Sequence, residues 1–277
     1  MINRYSGKCG GCRRTVAAGA GQAINRGEGW TTYHNECVPV RTPPPVGEHH
    51  GWHRLPLAAF DVETTSPEPV DARIVSAALV LADGTRFTWL VDPGVPIPPD
   101  ATARNRITDD MVRAAGIPAA QAIGEIATAV GKQIADGTPL VAFCASYDVT
   151  VLHHELIRFG LPGLDWSDAR IVDPFVLHNR VEPNWYDGKT LTDLCRYYGI
   201  ELTDAHDALD DARATLELAQ SIAARHRHIA ELPVEQLHRA QVRWHREQAL
   251  DLQRYYDRRG IDKTAHPEWP LETRRRQ

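Results

Sequence analysis

Phe60-Asp61-Val62-Glu63-Thr64 is the stretch whose reading decides the fold of this chain. On a β-strand successive side chains point to opposite faces, so Asp61 and Glu63 share one face while Phe60 and Val62 share the other. Two carboxylates side by side on an otherwise apolar strand repel each other. Either one takes a proton or a cation sits between them. An edge strand with a solvated face is the other reading of the same residues.

Outward from that strand the pattern is that of a packed domain. Strands are expected over 57–62, 74–81 and 86–91, with Asp83-Gly84 as a hairpin signal, and over 140–143. Helices are expected over 108–115, 118–135, from Ser146 to Phe159, 190–198 and 208–224, each from apolar residues at helical spacing. Strands first, then strands alternating with helices, indicate an α/β domain with a mixed sheet.

Two further acidic groups stand out. Asp148, in Ser146-Tyr147-Asp148, falls in the first turn of a helix, where an acidic residue also suits the helix dipole. His206-Asp207-Ala208-Leu209-Asp210-Asp211 opens a later helix. Five residues apart, His206 and Asp211 cannot share one helix face, so His206 belongs on the preceding loop and Asp211 in the early turns. Asp207 is then a cap and Asp210 a solvated residue.

In their order and spacing these motifs resemble the DEDDh (DnaQ-like) family of 3′→5′ exonucleases, which includes the proofreading epsilon subunit of bacterial DNA polymerase, oligoribonuclease and ribonuclease T. Its first motif, Asp-x-Glu, is matched by Asp61 and Glu63. The second, an aromatic-Asp pair, is matched by Tyr147-Asp148, and the third, His-x-Ala-x-x-Asp, by His206 through Asp211. The resemblance implies a ribonuclease-H-like fold with a five-stranded mixed sheet. It also implies a two-metal-ion site held by Asp61, Glu63, Asp148 and Asp211, with His206 as general base. Where family members often carry an Asn before the second Asp, this chain has Phe143-Cys144-Ala145-Ser146; in place of His-Gly-Ile it has Asn105-Arg106-Ile107.

Oxygen ligands suit Mg²⁺ or Mn²⁺. Asp61 is expected to bridge two such ions, with Glu63 and Asp211 on the nucleophile side and Asp148 supporting the second ion. His206, near pKa 6.5 when unperturbed, can accept a proton from water at neutral pH. Thr64, Thr65 and Tyr147 are candidate contacts for a terminal nucleotide, core packing of Tyr147 being the alternative.

The first 40 residues have a different chemistry. Cys9-x₂-Cys12 and His34-x₂-Cys37 supply three thiolates and an imidazole, a closed tetrahedral set for one structural Zn²⁺. The spacing resembles half of a LIM-type or treble-clef finger. Gly10, Gly11, Gly19, Gly21, Gly27 and Gly29 suit tight turns. A thioredoxin-like Cys-x-x-Cys is the competing reading, but no βαβ pattern follows. Cys144 and Cys195 read as buried packing residues.

Charge is unevenly distributed: +3 over 1–50, −12 over 51–224 and +4 over 225–277. An acidic middle flanked by basic ends is odd for a grip on nucleic acid by simple phosphate neutralisation and fits carboxylates that hold cations. With 277 residues, 43% of them hydrophobic, the chain divides into a zinc module (1–40), a Pro-rich linker (41–56), the exonuclease-like domain (57–224) and a basic helical C-terminal extension (225–277). The extension reads as a solvated helix or, through Arg243, Trp244 and Arg246, as a docking element. No run is long enough to span a bilayer and the first residues lack a secretory pattern, so a cytoplasmic protein without a membrane partner is expected.

The expected activity is removal of nucleotides from single-stranded 3′ ends of DNA. A protein partner, a polymerase or repair factor, could dock on the zinc module or the C-terminal helix; Arg4, Lys8, Arg13 and Arg14 permit protein or nucleic acid on the module. The alternatives are an exoribonuclease acting on RNA or short oligonucleotides, and a non-catalytic zinc-finger adaptor. Uncompensated acidic residues in a purely binding cleft would repel nucleic acid, which disfavours the adaptor.

Overall fold

The computed structural model describes residues 1–25, 29–167, 169–183, 185 and 187–272. Gly27 and the Arg274, Arg275, Arg276 tail lie outside the described residues.

Four short strands open the chain. β1 (Gly7–Lys8) pairs antiparallel with β2 (Thr15–Val16), and β3 (Gly21–Asn25) with β4 (Trp30–His34). Among the described residues their buried apolar cluster is Cys9, Val16, Ile24 and Tyr33, with Cys12, Cys37 and Val38 packed against it, too little to hold a fold by apolar burial alone. The Pro-rich stretch that follows does not hang free along its length. Gly47 N–H donates to Ala224 O (2.8 Å), and Trp52, buried in a 3₁₀ turn over Trp52–Arg54, donates to Ile229 O (3.0 Å).

The main sheet is built from β5 (Ala58–Thr64), β6 (Ile74–Leu81), β7 (Arg86–Asp92), β8 (Ile117–Pro118), β9 (Leu140–Val141) and β10 (Ile171–Val172). Its order is β10-β9-β5-β6-β7-β8, antiparallel within β5-β6-β7 and parallel elsewhere. The sheet thus has six strands rather than the five expected, three of them, β8, β9 and β10, being only two residues long. The β6–β7 hairpin turns where Asp83-Gly84 predicts it: Gly84 takes a φ of 90°, and Asp83 Oδ1 accepts from Thr85 N–H at 2.8 Å.

Helices α1 (Pro99–Asn105), α2 (Asp109–Ala115), α3 (Ala119–Ala135) and α4 (Ala145–Arg158) are followed by α5 (Pro174–Val181) and α6 (Leu191–Tyr198). Then come α7 (Ala208–Arg225), α8 (Arg227–Ala230) and α9 (Val234–Arg259). None of the described helices is long and apolar enough to cross a membrane.

Alternation along β5 sorts the core into two layers. Ala58, Phe60 and Val62 pack with Ile123, Ile126 and Val130 of α3 and with Val149 and Leu152 of α4. Leu57 and Ala59 pack on the other side with Leu216, Ala219 and Ile222 of α7. Asp61 and Glu63 continue the second face, towards the helix that carries Asp211. Opposite them on β6 stand the small residues Ala78 and Ser76, and the register slips between Glu63 and Thr64.

The C-terminal extension is part of this core rather than a solvated helix. Leu237 and Gln241 of α9 are fully buried, and Gln241 Nε2 donates to Ile171 O (2.9 Å) while its Oε1 accepts from Asp173 N–H (2.7 Å). Trp244 packs against the α7-side core under the guanidinium of Arg180, 5.3 Å from the ring centre.

Candidate active site

Ligands in open α/β sheets gather outside the carboxyl ends of the strands. Here β5, β9 and β10 run parallel to one another, and residues at or beyond their carboxyl ends, among them 61–67, Phe143, Cys144, Tyr147, Asp148, Asp173 and Phe175, line one cavity of about 970 Å³.

Asp61, Glu63, Asp148, Asp211 and His206 all line it. Glu63, Asp148 and Asp211 keep 9%, 3% and 8% of their surface exposed, which removes most of the water that would stabilise their charges. No salt bridge reaches these carboxylates or Asp61 among the described residues. The consequence is a set of reluctant acids. Burial, reinforced by the charges of Asp148, Asp211 and Glu63, raises Asp61 well above the usual carboxylate range. Burial does the same to Asp148, with the Val62 N–H pulling back. Burial and the Asp211 charge push Glu63 up to about 8, opposed by Arg104. Asp211 is raised by burial to about 6, opposed by the His206 N–H.

Local structure explains the positions. Asp148 sits in the first turn of α4 and its Oδ1 accepts from Val62 N–H at 3.1 Å. Asp207 caps α7 by accepting from Leu209 and Asp210 N–H, as the sequence suggests, whereas Asp210 faces Arg213 at 3.8 Å rather than open water. His206 lies on the loop before α7 in the left-handed region, with φ of 69°, and its N–H donates to Asp211 Oδ2 at 3.1 Å. Burial, then Arg104 and Arg106, lower its pKa, so the imidazole is neutral at pH 7. An ion pair between Arg106 and Asp204 ties this loop to the end of α1.

Ligand atoms of Glu63, His206 and Asp211 lie within 4.8 Å of one another, close enough to share one cation. Asp61 and Asp148 line the same cavity but stand outside that tightest group.

The hydroxyls of Thr64 and Tyr147 lie against each other and against Ser66 O, so that one O–H donates to the carbonyl and the other can donate to its partner hydroxyl. The Tyr147 ring also packs on the α3–α4 core, the packing alternative, while the residue lines the cavity. Thr65 Oγ1 accepts from Arg73 N–H (3.0 Å), closing the 66–72 loop.

Three features escape the sequence reading. Cys144 is not buried packing: it lines the cavity as the left-handed residue before α4, with φ of 57°. Asp173, 1% exposed, accepts from Cys144, Ala145 and Phe175 N–H and from Trp269 Nε1, holding the start of α4 in place. Its signal was the Asp-Pro pair that opens α5. Finally, Arg104 and Lys189 are the only arginine or lysine among the described residues that line the cavity.

The second candidate centre is the N-terminal cluster. Ligand atoms of Cys9, Cys12, His34 and Cys37 lie within 4.8 Å of one another. His34 Nδ1 faces Cys12 Sγ at 3.3 Å while Nε2 donates to Thr15 O at 3.2 Å, a backbone partner that fixes the ring for metal ligation. Burial raises the Cys9 thiol, but N–H groups of Cys12, His34 and Gly11 outweigh it and bring the thiol down to about 6.

Comparison with known proteins adds an independent line. The family model described as Exonuclease matches residues 58–219. The DNA polymerase III epsilon subunit of Treponema pallidum is 33% identical over 175 residues, 61% of this chain and 77% of that protein. The PolC-type DNA polymerase III of Lacticaseibacillus paracasei is 30% identical over 160 residues, 56% of this chain and 10% of the polymerase. Among solved structures, E. coli exonuclease I in complex with a dT13 oligonucleotide superimposes with a TM-score of 0.54 at 21% identity, covering 63% of this chain and 42% of that one. The chain therefore spans less than half of exonuclease I and a tenth of the polymerase.

Proposed function

Because this chain belongs to the exonuclease family, we propose that it removes nucleotides from the 3′ end of single-stranded DNA by metal-assisted hydrolysis. The observation that carries this reading is the gathering of Asp61, Glu63, Asp148 and Asp211 in one cavity with no salt bridge to any of them among the described residues.

Four oxygen-ligand side chains, three of them buried, fit hard divalent cations, Mg²⁺ or Mn²⁺, better than zinc. Two such ions, when bound, supply Lewis acidity to the phosphoryl oxygens and acidify the attacking water. Asp61, Glu63, Asp148 and Asp211 would hold them. His206, its imidazole neutral and its loop tied by the backbone N–H to Asp211, accepts the proton of the attacking water. Thr64, Thr65 and Tyr147 line the cavity beside these groups and contact the terminal nucleotide.

In the same reading residues 1–40 form a module held by one Zn²⁺ through Cys9, Cys12, His34 and Cys37. Three soft thiolates and an imidazole fit zinc, and the small apolar core there leaves the metal to supply folding energy. The relationship to polymerase subunits makes a polymerase or repair factor the partner class, with the module as the docking site.

The test uses end-labelled single-stranded DNA and RNA of one sequence with Mg²⁺, Mn²⁺ or EDTA. Stepwise shortening from the 3′ end, metal-dependent and lost in Asp61→Ala, is the expected outcome. Cleavage that survives EDTA, or no cleavage of either polymer, overturns it. A higher rate on RNA moves the substrate class to RNA.

A further inference from the structure

The far side of the cavity is formed by a segment outside the family match. On α9, His245, Gln248, Ala249, Leu252 and Tyr256 recur at helical spacing and line the cavity as one stripe. At 1.5 Å per residue that stripe is about 16 Å long, the length of several stacked nucleotides at about 3.4 Å each.

Beyond α9 the chain reverses at Gly260, with φ of 62°, and runs back as a strap. Gln253 fixes the reversal, its Oε1 accepting from Ala265 N–H at 2.8 Å. His266 of the strap lines the cavity. The end of the strap is pinned at two points: Trp269 Nε1 donates to Asp173 Oδ2 (3.2 Å), and Glu272 N–H donates to Thr150 Oγ1 (2.9 Å), two residues past Asp148.

We infer that α9 and the strap are the second wall of the substrate cleft, a binding site for the nucleotides behind the 3′ end that reads them as unpaired bases. The charge pattern selects bases over phosphates. Helix α9 carries Arg239, Arg243, Arg246, Arg254, Arg258 and Arg259, yet none of the six lines the cavity. The α9 and strap residues that line the cavity include the aromatic Tyr256, apolar Leu252 and Ala249, polar His245, Gln248 and His266, and one carboxylate, Asp251, which no phosphate would favour. Aromatic and apolar faces take stacked bases, which a duplex keeps inside its own stack. The Phe143–Phe175 pair, ring centres 5.8 Å apart, lines the same cavity from the sheet side.

The inference rests on the exonuclease reading for where the 3′ end lies, but binding tests it apart from hydrolysis. The probe is 5′-fluorescein-labelled dT10, followed by anisotropy on the full chain with Ca²⁺ in place of Mg²⁺. Tyr256→Ala and Leu252→Ala each raise Kd about fivefold to tenfold, the lower range for loss of one base contact; Tyr256→Phe restores wild-type binding. Glu247→Gln, on the exposed side of α9, is the control. The salt dependence of Kd keeps its slope in the variants, because no phosphate contact is lost.

Kd within twofold of wild type in both variants overturns the wall. A slope reduced by about one unit overturns base reading in favour of a phosphate grip. Leu252 is 43% exposed, so its variant keeps the test open should Tyr256→Ala fail to fold. Wall-dependent binding without nucleotide release in Mg²⁺ or Mn²⁺ would sink the nuclease reading alone; hydrolysis with unmoved Kd would sink the wall alone.

Discussion

Asp148 accepts the backbone N–H of Val62, the residue between Asp61 and Glu63, so a side chain of α4 completes the hydrogen bonding of β5 at the centre of the site. The parallel ladder from β9 reaches only Ala58 and Ala59, and Asp148 Oδ1 serves the N–H beyond its end. One carboxylate thereby holds the strand and faces the cavity.

The two jobs separate by substitution. Asp148→Asn keeps an acceptor for Val62 but removes the charge; it is expected to retain the fold and lose on the order of 10²–10³ in kcat, as for loss of a preorganised electrostatic group. Asp148→Ala loses the acceptor too and is destabilised by about 1–3 kcal/mol, the cost of an orphaned buried donor. Urea unfolding in EDTA beside Mg²⁺-dependent rates checks both. Equal stability of the two variants would show that the hydrogen bond carries no weight.

His206 tests whether the imidazole acts on water or on metal. As general base, its replacement by Ala lowers kcat by about 10²–10⁴ while leaving the thermal stabilisation by Mn²⁺ unchanged. As a third ligand beside Glu63 and Asp211, the same change cuts the Mn²⁺ effect on Tm in parallel with the rate. The assigned role stands only on the first pattern.

Much of this was legible in the sequence because it is local. The period-two pattern of Ala58–Thr64 put both carboxylates on one face, and the five-residue offset of His206 from Asp211 put the histidine on a loop. What was not legible depends on pairings far apart in the chain. β10 is only two residues long, and no periodicity announces it. Asp173 meets Trp269 across 96 residues, so a polar residue beside a proline gave no hint that it joins α4 to the C-terminus. Helix α9 read as a solvated helix or a docking element, with Leu237, Trp244, Leu252 and Tyr256 as a partly apolar stripe, because its arginines dominate its composition. The buried Ala240 and Gln241, a small residue and an amide, gave no sign that it belongs to the core.

Zinc should act on the N-terminal module alone. Cys12→Ser or Cys37→Ser is expected to lower bound zinc from one equivalent to none, because a three-ligand remnant no longer closes the site. The buried core of the module being four of its described residues, its residues lose protection from hydrogen exchange, while those of β5 and α7 keep theirs. Elemental analysis and exchange mass spectrometry on the full chain read both. Retention of a full equivalent of zinc by both variants would mean that the metal sits elsewhere.

The pH dependence of metal stabilisation follows from the reluctant acids. In metal-free protein Glu63 stands near 8 against 4.5 for the exposed side chain, chiefly through burial. The folded state therefore binds more protons than the unfolded one across that interval. Its contribution is fully present below 4.5 and is lost as pH rises through 8. Asp61, Asp148 and Asp211 are shifted in the same direction. His178 and His226, lowered by burial to about 3 and about 4, run the other way: their contribution is present above 6.5 and is lost on acidification. Divalent ions replace the protons of the carboxylates and do not reach the two histidines. The gap in Tm between saturating Mn²⁺ and EDTA should accordingly widen from pH 6 to pH 8, and Glu63→Gln should flatten that rise. A gap independent of pH would mean that the four carboxylates are already ionised in the metal-free protein, and that the cations are not what relieves their repulsion.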